Sequence, residues 1–405
     1  MSFFSSRWVE APEHARELEP AALPAGFRAA GVAAGIKPDG LDVGVLVSDA
    51  PETVSAARFT SNARVGAPVA VSRQADLGRL SAVAANSGCS NVGDGRRGLE
   101  TAMAMQATTA EELGLEPSRV GVASTGVIGF ELPRAPVLNG IRAACGALGE
   151  DAGAFSEAIL TSDSGPKRAG LEVELSGGSV RLAAQAKGAG MVQPRFATMF
   201  CFLQTDALLR PETIELLTGV CVKRSFDRIS VDGQLSTSDT VFALANGASG
   251  VAVQPESDDE LRLGEAMDAL LRQLALTMVA DGEGARRVGR IVVRGAAEGV
   301  EPVARSIANS PLVKAALHGG DPNFGRLLQA AGASWPAGDP FVADLEIEDH
   351  LVVSAGDVVE PAPAELVSGP EVEFRLTMPG EGGETEVFFS DLSPEYAHYN
   401  SAYTS

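Results

Sequence analysis

The stretch Lys187-Gly-Ala-Gly-Met-Val-Gln-Pro-Arg-Phe-Ala-Thr198-Met199, continued by Phe200-Cys-Phe-Leu203, governs how this chain is read. Glycines and small residues lead to a threonine that opens an apolar run. In the plainest reading Thr198 begins a strand, because β-branched and aromatic residues favour extended backbone. A chemical reading stands beside it. A break between Ala197 and Thr198 would give one residue both a hydroxyl and a free α-amine. That amine, with a pKa of about 7.7–8.0, can take the hydroxyl proton without a histidine. A small residue at 197 and glycines at 188 and 190 would let the backbone bend into the geometry of self-attack, since glycine tolerates φ values that other residues avoid.

Working outward, 405 residues suffice for two sizeable cores or one large layered core. Two halves are expected, with the boundary set by chemistry at 197/198, because no linker, repeat or low-complexity tract marks another. Hydrophobic residues at 45% and charged residues at 21% suit a globular chain throughout. A formal charge of −21 opposes binding to nucleic acid or to an anionic membrane and favours small-molecule partners. The N-terminus lacks the apolar core of a signal peptide, and no apolar run approaches the ~18 residues of a span, so a cytoplasmic enzyme is expected. Cys89, Cys145, Cys201 and Cys221 are scattered without a C-x-x-C pair, which predicts reduced, mostly buried thiols. His14, His318, His350 and His398 show no ligand spacing, and no metal is expected.

Extended segments are predicted at 41–47, 55–59, 79–86, 120–124, 171–175 and 180–186, the last leading into the lysine-glycine stretch. Helical patterns cover 98–113, with Ala102, Met105, Thr109 and Leu113 on one face, and most of 135–160. Beyond Thr198 come a strand, a helix from Pro211 to about 223, and a helix over 257–278 opened by a Ser257/Glu260 capping box. Leu263, Met267, Leu270, Leu271, Leu274 and Met278 share a face of that helix. A strand follows at 291–293, and Asp321-Pro322 reads as N-cap and first helical residue. Short strands and helices without long buried parallel runs predict an α/β chain of the α+β layered-sandwich kind.

Six short motifs occur in order: Ser124-Thr-Gly-Val-Ile-Gly129, Lys187-Gly-Ala-Gly-Met191 with Ala197-Thr198-Met199, Ser236-Thr-Ser-Asp-Thr240, Asp281-Gly-Glu-Gly284, Asp321-Pro-Asn-Phe-Gly-Arg326 and Asn400-Ser-Ala-Tyr-Thr-Ser405. Together they resemble the ornithine acetyltransferase family of arginine biosynthesis, from about residue 25 to the last residue. The resemblance implies a proenzyme cut between Ala197 and Thr198 into an α chain, 1–197, and a β chain, 198–405. Two copies of each would form a heterotetramer. It also implies ping-pong transfer of an acetyl group from N2-acetyl-L-ornithine to L-glutamate through acetyl-Thr198, with no cofactor. Whether acetyl-CoA serves as a second donor is left open.

By the same resemblance Thr125 and Gly126 would supply the oxyanion donors, which such a tetrahedral intermediate requires. Thr161, Lys187, Thr198, Glu283, Asn400 and Ser405 would contact substrate, Lys187 through the amino-acid carboxylate. Taken alone, Thr125-Gly126 is a turn, Lys187 a solvated lysine and Asp281–Gly284 a helix-ending loop. The chain departs from the family pattern at Gln193-Pro-Arg195-Phe196, at Gln234-Leu235, at Phe324 and at Ser405, where many relatives carry threonine. Two other functions remain: an amidase or aminopeptidase with the same N-terminal nucleophile, in which water accepts the acyl group, and a non-catalytic binding paralogue that would stay uncut.

Overall fold

A computed structural model describes residues 2–193 and 199–402 of the chain. Ala197, Thr198 and Ser405 lie outside the described residues. The architecture rests on two stacked sheets. The first has six strands in the order Ala15–Glu17, Lys167–Leu175, Gly178–Lys187, Phe200–Thr205, Thr240–Ala245 and Val54–Phe59. The second has four, in the order Phe27–Val32, Val43–Ser48, Ala82–Asn86 and Val120–Ser124.

Period-two alternation assigns each side chain to a layer. From the Phe200–Thr205 strand, Cys201 and Leu203 join the core beneath the helices Pro211–Arg224 and Asp258–Ala280. Phe200 and Phe202 instead enter the layer between the sheets, with Phe242, Leu46, Val83 and Phe155. The sheets approach closely there. A Cβ at Gly121 would lie 2.8 Å from the ring of Phe242, so the second sheet yields space to the aromatics of the first. The outer face of the second sheet is covered by the helices Gly95–Leu113 and Arg134–Gly146, through Met105, Val137 and Ile141. The result is a helix, sheet, sheet, helix sandwich, as expected of a layered α/β chain.

The long helix forms as its apolar period requires, with Leu263, Met267, Leu270, Leu271, Leu274 and Met278 all buried. Ser257 Oγ accepts from the Glu260 amide at 3.2 Å, while the Glu260 carboxylate accepts from the amide of Glu256, one residue earlier than a capping box prescribes. A second core lies beyond it. Seven strands, including Val288–Ala296, Glu371–Thr377 and Gly382–Ser390, pack against the helices Ala297–Asn309, Pro311–Gly319 and Phe324–Gly332. The last helix corrects one expectation. Its N-cap is Asn323, not Asp321, because the Asn323 side chain accepts from the Arg326 amide at 3.2 Å.

The two cores do not divide at 197/198. The Gly178–Lys187 strand pairs with Phe200–Thr205 from Leu182↔Thr205 to Lys187↔Phe200, inside the first sheet. The halves 1–197 and 198–405 are therefore interleaved as packing units, and the second core is built from residues beyond the long helix. The strands between 344 and 390 escaped the sequence pattern because they are short or polar at alternate positions, as in Glu371–Thr377.

Candidate active site

Both sheets end at one edge of the sandwich. Val120–Ser124 runs out into Thr125, Gly178–Lys187 into Gly188, and Ser236–Ser238 lead into the strand beginning at Thr240. A cavity of roughly 120 Å³ opens there. Its walls include Thr125, Gly126, Thr161, Gly190, Ser236 and Glu283, with Tyr399 and Asn400 of the helix Pro394–Ala402 above. Residues scattered over the sequence thus converge on one polar space.

Thr125 is held by its backbone, whose amide donates to Asn86 O at 3.0 Å. Ser124 Oγ donates to Asn86 Oδ1 at 2.6 Å, tying the ends of the two parallel strands together. Gly126 sits at φ 125°, and a Cβ there would lie 2.4 Å from the Gly88 carbonyl carbon, so only glycine fits. Gly126 itself forms part of the cavity wall. Glu283 lies against Gly190, where a Cβ would meet its carboxylate at 2.5 Å, and accepts from Asn400 Nδ2 at 2.7 Å.

Lys187 is 1% exposed and forms no part of the cavity wall. Alternation along its strand turns it between the sheets. Its Nζ donates to Thr161 Oγ1 at 2.7 Å and Thr125 Oγ1 at 3.3 Å and lies 3.7 Å from Asp163. The ammonium therefore sits beneath two wall hydroxyls. Burial lowers its pKa, against the pull of Asp163. Asp163 also accepts from Lys167 Nζ at 2.7 Å and the Gly188 amide at 2.6 Å. Burial would raise its pKa, but Lys187, Lys167 and these bonds outweigh it and hold the carboxyl well below the usual range. Lys167 reaches on to Asp281 at 2.5 Å. Two lysines and two aspartates thus balance in charge behind the cavity.

On the opposite flank, the amide of Met199 donates to Asp239 Oδ1 at 3.0 Å. Burial pushes the Asp239 carboxyl well above the ordinary carboxylate range despite that bond. Of the residues singled out from sequence, Thr125, Gly126, Thr161, Glu283 and Asn400 share the cavity, Lys187 stands behind it, and Ala197, Thr198 and Ser405 are not described. Sequence reasoning gave no role to Asp163, Lys167 or Asp281. Lys167 and Asp163 are four residues apart, and Gln185 and Lys187 alternate as polar residues in an apolar strand; both signals were present. Phe324, one departure from the family pattern, packs against the second core, away from the cavity.

Hydroxyls, a glycine held at positive φ and a carboxylate around a small cavity, at the edge of a helix–sheet–sheet–helix sandwich, define an enzyme of the layered α/β class. Comparison narrows the class. The ArgJ family model matches residues 28–405. The Arginine biosynthesis bifunctional protein ArgJ of Symbiobacterium thermophilum is 40% identical over 94% of this chain and 97% of its own length. That of Dehalococcoides mccartyi is 37% identical over 94% and 96%. The chain belongs to the ArgJ family. Among solved structures, an ornithine acetyltransferase from Mycobacterium tuberculosis, complexed with ornithine, is 33% identical, with a TM-score of 0.41, over 44% of this chain and 98% of that one. ArgJ from Bacillus halodurans is 36% identical, with a TM-score of 0.41, over 44% and 96%.

Proposed function

We propose that the chain cuts itself between Ala197 and Thr198 and that the mature enzyme transfers acetyl from N2-acetyl-L-ornithine to L-glutamate. The observation that carries this reading is the convergence of Thr125, Gly126, Thr161, Glu283 and Asn400 on one cavity in a chain of the ArgJ family. In self-cleavage, Thr198 Oγ attacks the Ala197 carbonyl, the acyl group shifts from nitrogen to oxygen, and water releases it. The freed α-amine then takes the hydroxyl proton as Oγ attacks the acetyl carbonyl. Ornithine leaves with that proton on its nitrogen, and the amine of glutamate attacks the acetyl-threonine ester. Thr125 Oγ1 and the Gly126 N–H donate to the tetrahedral oxyanion in each half-reaction.

Glu283, exposed to the cavity and paired with Asn400, suits the substrate's ammonium group, and Thr161 adds a hydroxyl opposite. Thr198 and Ser405 complete the substrate contacts in this reading. The products of cleavage, 1–197 and 198–405, stay together because their strands share a sheet, and two copies of each form a heterotetramer in the cytoplasm. The word bifunctional in the relatives' names favours a second donor, acetyl-CoA, for the acetylation of glutamate.

The test is the mass of the purified chain under denaturing conditions, beside Thr198→Ala. Two fragments split before Thr198, with the variant intact, are expected, followed by acetylation of the larger-numbered fragment on Thr198 by N2-acetylornithine. A single 41.7 kDa chain in both samples refutes the nucleophile and leaves a binding paralogue. Release of acetate with no acetylglutamate formed would instead identify an amidase.

A further inference from the structure

Beyond the strand Gly178–Lys187 the chain turns a corner at Met191, which lies at φ 54°, a left-handed value that a residue with a Cβ disfavours. Such a corner persists only where its surroundings hold it. Here the hold is Asp232. Its Oδ2 accepts from the Met191 amide at 2.5 Å and its Oδ1 from the Val192 amide at 2.9 Å, while Val192 O accepts from the Val231 amide at 2.7 Å. Oδ1 also accepts from the Gln234 amide at 3.1 Å. The clasped corner stands a few residues before the 197/198 bond.

The same Oδ2 accepts from Tyr396 Oη at 3.2 Å. Tyr396 belongs to the helix Pro394–Ala402, which buries none of its described residues, so hydrogen bonds rather than an apolar core seat it over the cavity. Its second tie runs from Asn400 to Glu283, whose own amide donates to Ala189 O at 3.1 Å. Both ties therefore end on groups bonded to the 189–192 segment. We propose that Asp232 is a positioning residue with two tasks: it fixes the corner before the scissile bond, and through Tyr396 it latches the roof that carries Asn400. This rests on the self-cleavage and acetyl-transfer reading above and adds to it a carboxylate that acts through Met191 and Tyr396.

Asp232→Asn separates the two tasks. The amide keeps an oxygen for Val192 and Gln234 but sets N–H groups where Oδ2 stood. Tyr396 Oη can turn and accept from them, whereas the Met191 amide, a donor only, cannot. The experiment follows self-cutting of chains made by cell-free synthesis, as the ratio of fragments to full chain over time, and then KM and kcat of the mature proteins for N2-acetylornithine. Asp232→Asn is expected to cut about 10- to 100-fold more slowly than wild type, since a misplacement of about 1 Å can cost ~10²-fold, and once cut to show a KM within about threefold. Tyr396→Phe is expected to cut at the wild-type rate and to raise KM by about 2- to 10-fold, the range that one hydrogen bond gives, with kcat within about twofold. Adding Met191→Gly to Asp232→Asn should restore cutting to within about threefold of wild type, because glycine takes that φ without strain. Wild-type cutting by Asp232→Asn, absence of that rescue, or an unchanged KM in Tyr396→Phe overturns the proposal. Should Asp232→Asn not fold, Tyr396→Phe decides by the same criterion. A wild-type chain that never cuts sinks the self-cleavage reading and this assignment together, whereas a wild type that cuts beside an unimpaired Asp232→Asn sinks this assignment only.

Discussion

Of the three lysines buried among the described residues, Lys167 and Lys187 lie behind the cavity and Lys314 beside the second core, and the surroundings of Lys187 and Lys314 differ. Lys187 has a carboxylate and two hydroxyls within 3.7 Å and belongs to a charge-balanced set with Asp163, Lys167 and Asp281. Lys314 has a backbone carbonyl, Ser390 O at 2.5 Å, and the face of Phe389, 5.3 Å from its ring centre. Burial pulls the Lys314 pKa down to about 7, with Asp232 and Asp391 opposing from a distance. Burial lowers the pKa of both lysines, but one is surrounded by directed side-chain acceptors and the other by a single carbonyl and an aromatic face. Desolvation is common to both; the acceptors decide what each lysine can do.

The largest expected effect comes from removing the counter-charge behind the cavity. Asp163→Ala leaves Lys167 with Asp281 and takes from Lys187 its carboxylate at 3.7 Å, and breaking a buried pair in this way costs about 3–5 kcal/mol. Denaturant unfolding would read it; a loss under about 1 kcal/mol would mean that the network is solvated and the contrast with Lys314 false. Next, Gly126→Ala places a Cβ against Gly88 at an unfavourable φ, a strain of about 1–3 kcal/mol. Displacement of its N–H should also slow acetylation of Thr198 by about 10²-fold or more. Unchanged kinetics would remove Gly126 from the oxyanion site.

Lys314 tests the other side of the comparison through pH. Its folded pKa of about 7 lies below the ordinary 10.5, so between those values the unfolded chain holds a proton that the folded chain has lost. Stability from this group therefore rises with pH across that window, by up to about 1.4 kcal/mol per pH unit. Unfolding curves at several pH values should show this slope in wild type and lose it in Lys314→Met; parallel curves would place the Lys314 pKa near its ordinary value. The smallest effect belongs to the exposed roof. Asn400→Ala removes one hydrogen bond to Glu283, of about 0.5–1.5 kcal/mol, and should raise KM for N2-acetylornithine by about 2- to 10-fold while kcat stays within twofold.

Much of the frame was legible from pattern. The 211–224 and 258–280 helices, the strand at 120–124 and the apolar face from Leu263 to Met278 follow from periodicity and caps that act within a few residues. The Asp321 cap was misplaced by two residues because Asn323 competes for the same role with a well-placed side-chain oxygen. The site was legible as separate motifs, Thr125-Gly126, Thr161, Glu283 and Asn400, whose order in the chain says nothing about their meeting.

The sequence by itself determined the family, the local elements and the residue types available for acyl chemistry, because those depend on neighbours along the chain. Only the tertiary structure decided that strands on either side of the 197/198 bond share one sheet, and that Lys187 faces inward beneath Thr125 and Thr161 rather than toward solvent. It also joined Asp163, Lys167 and Asp281 into one buried set. Such pairings depend on which sheet faces which, and burial then multiplies the strength of every charge and hydrogen bond involved.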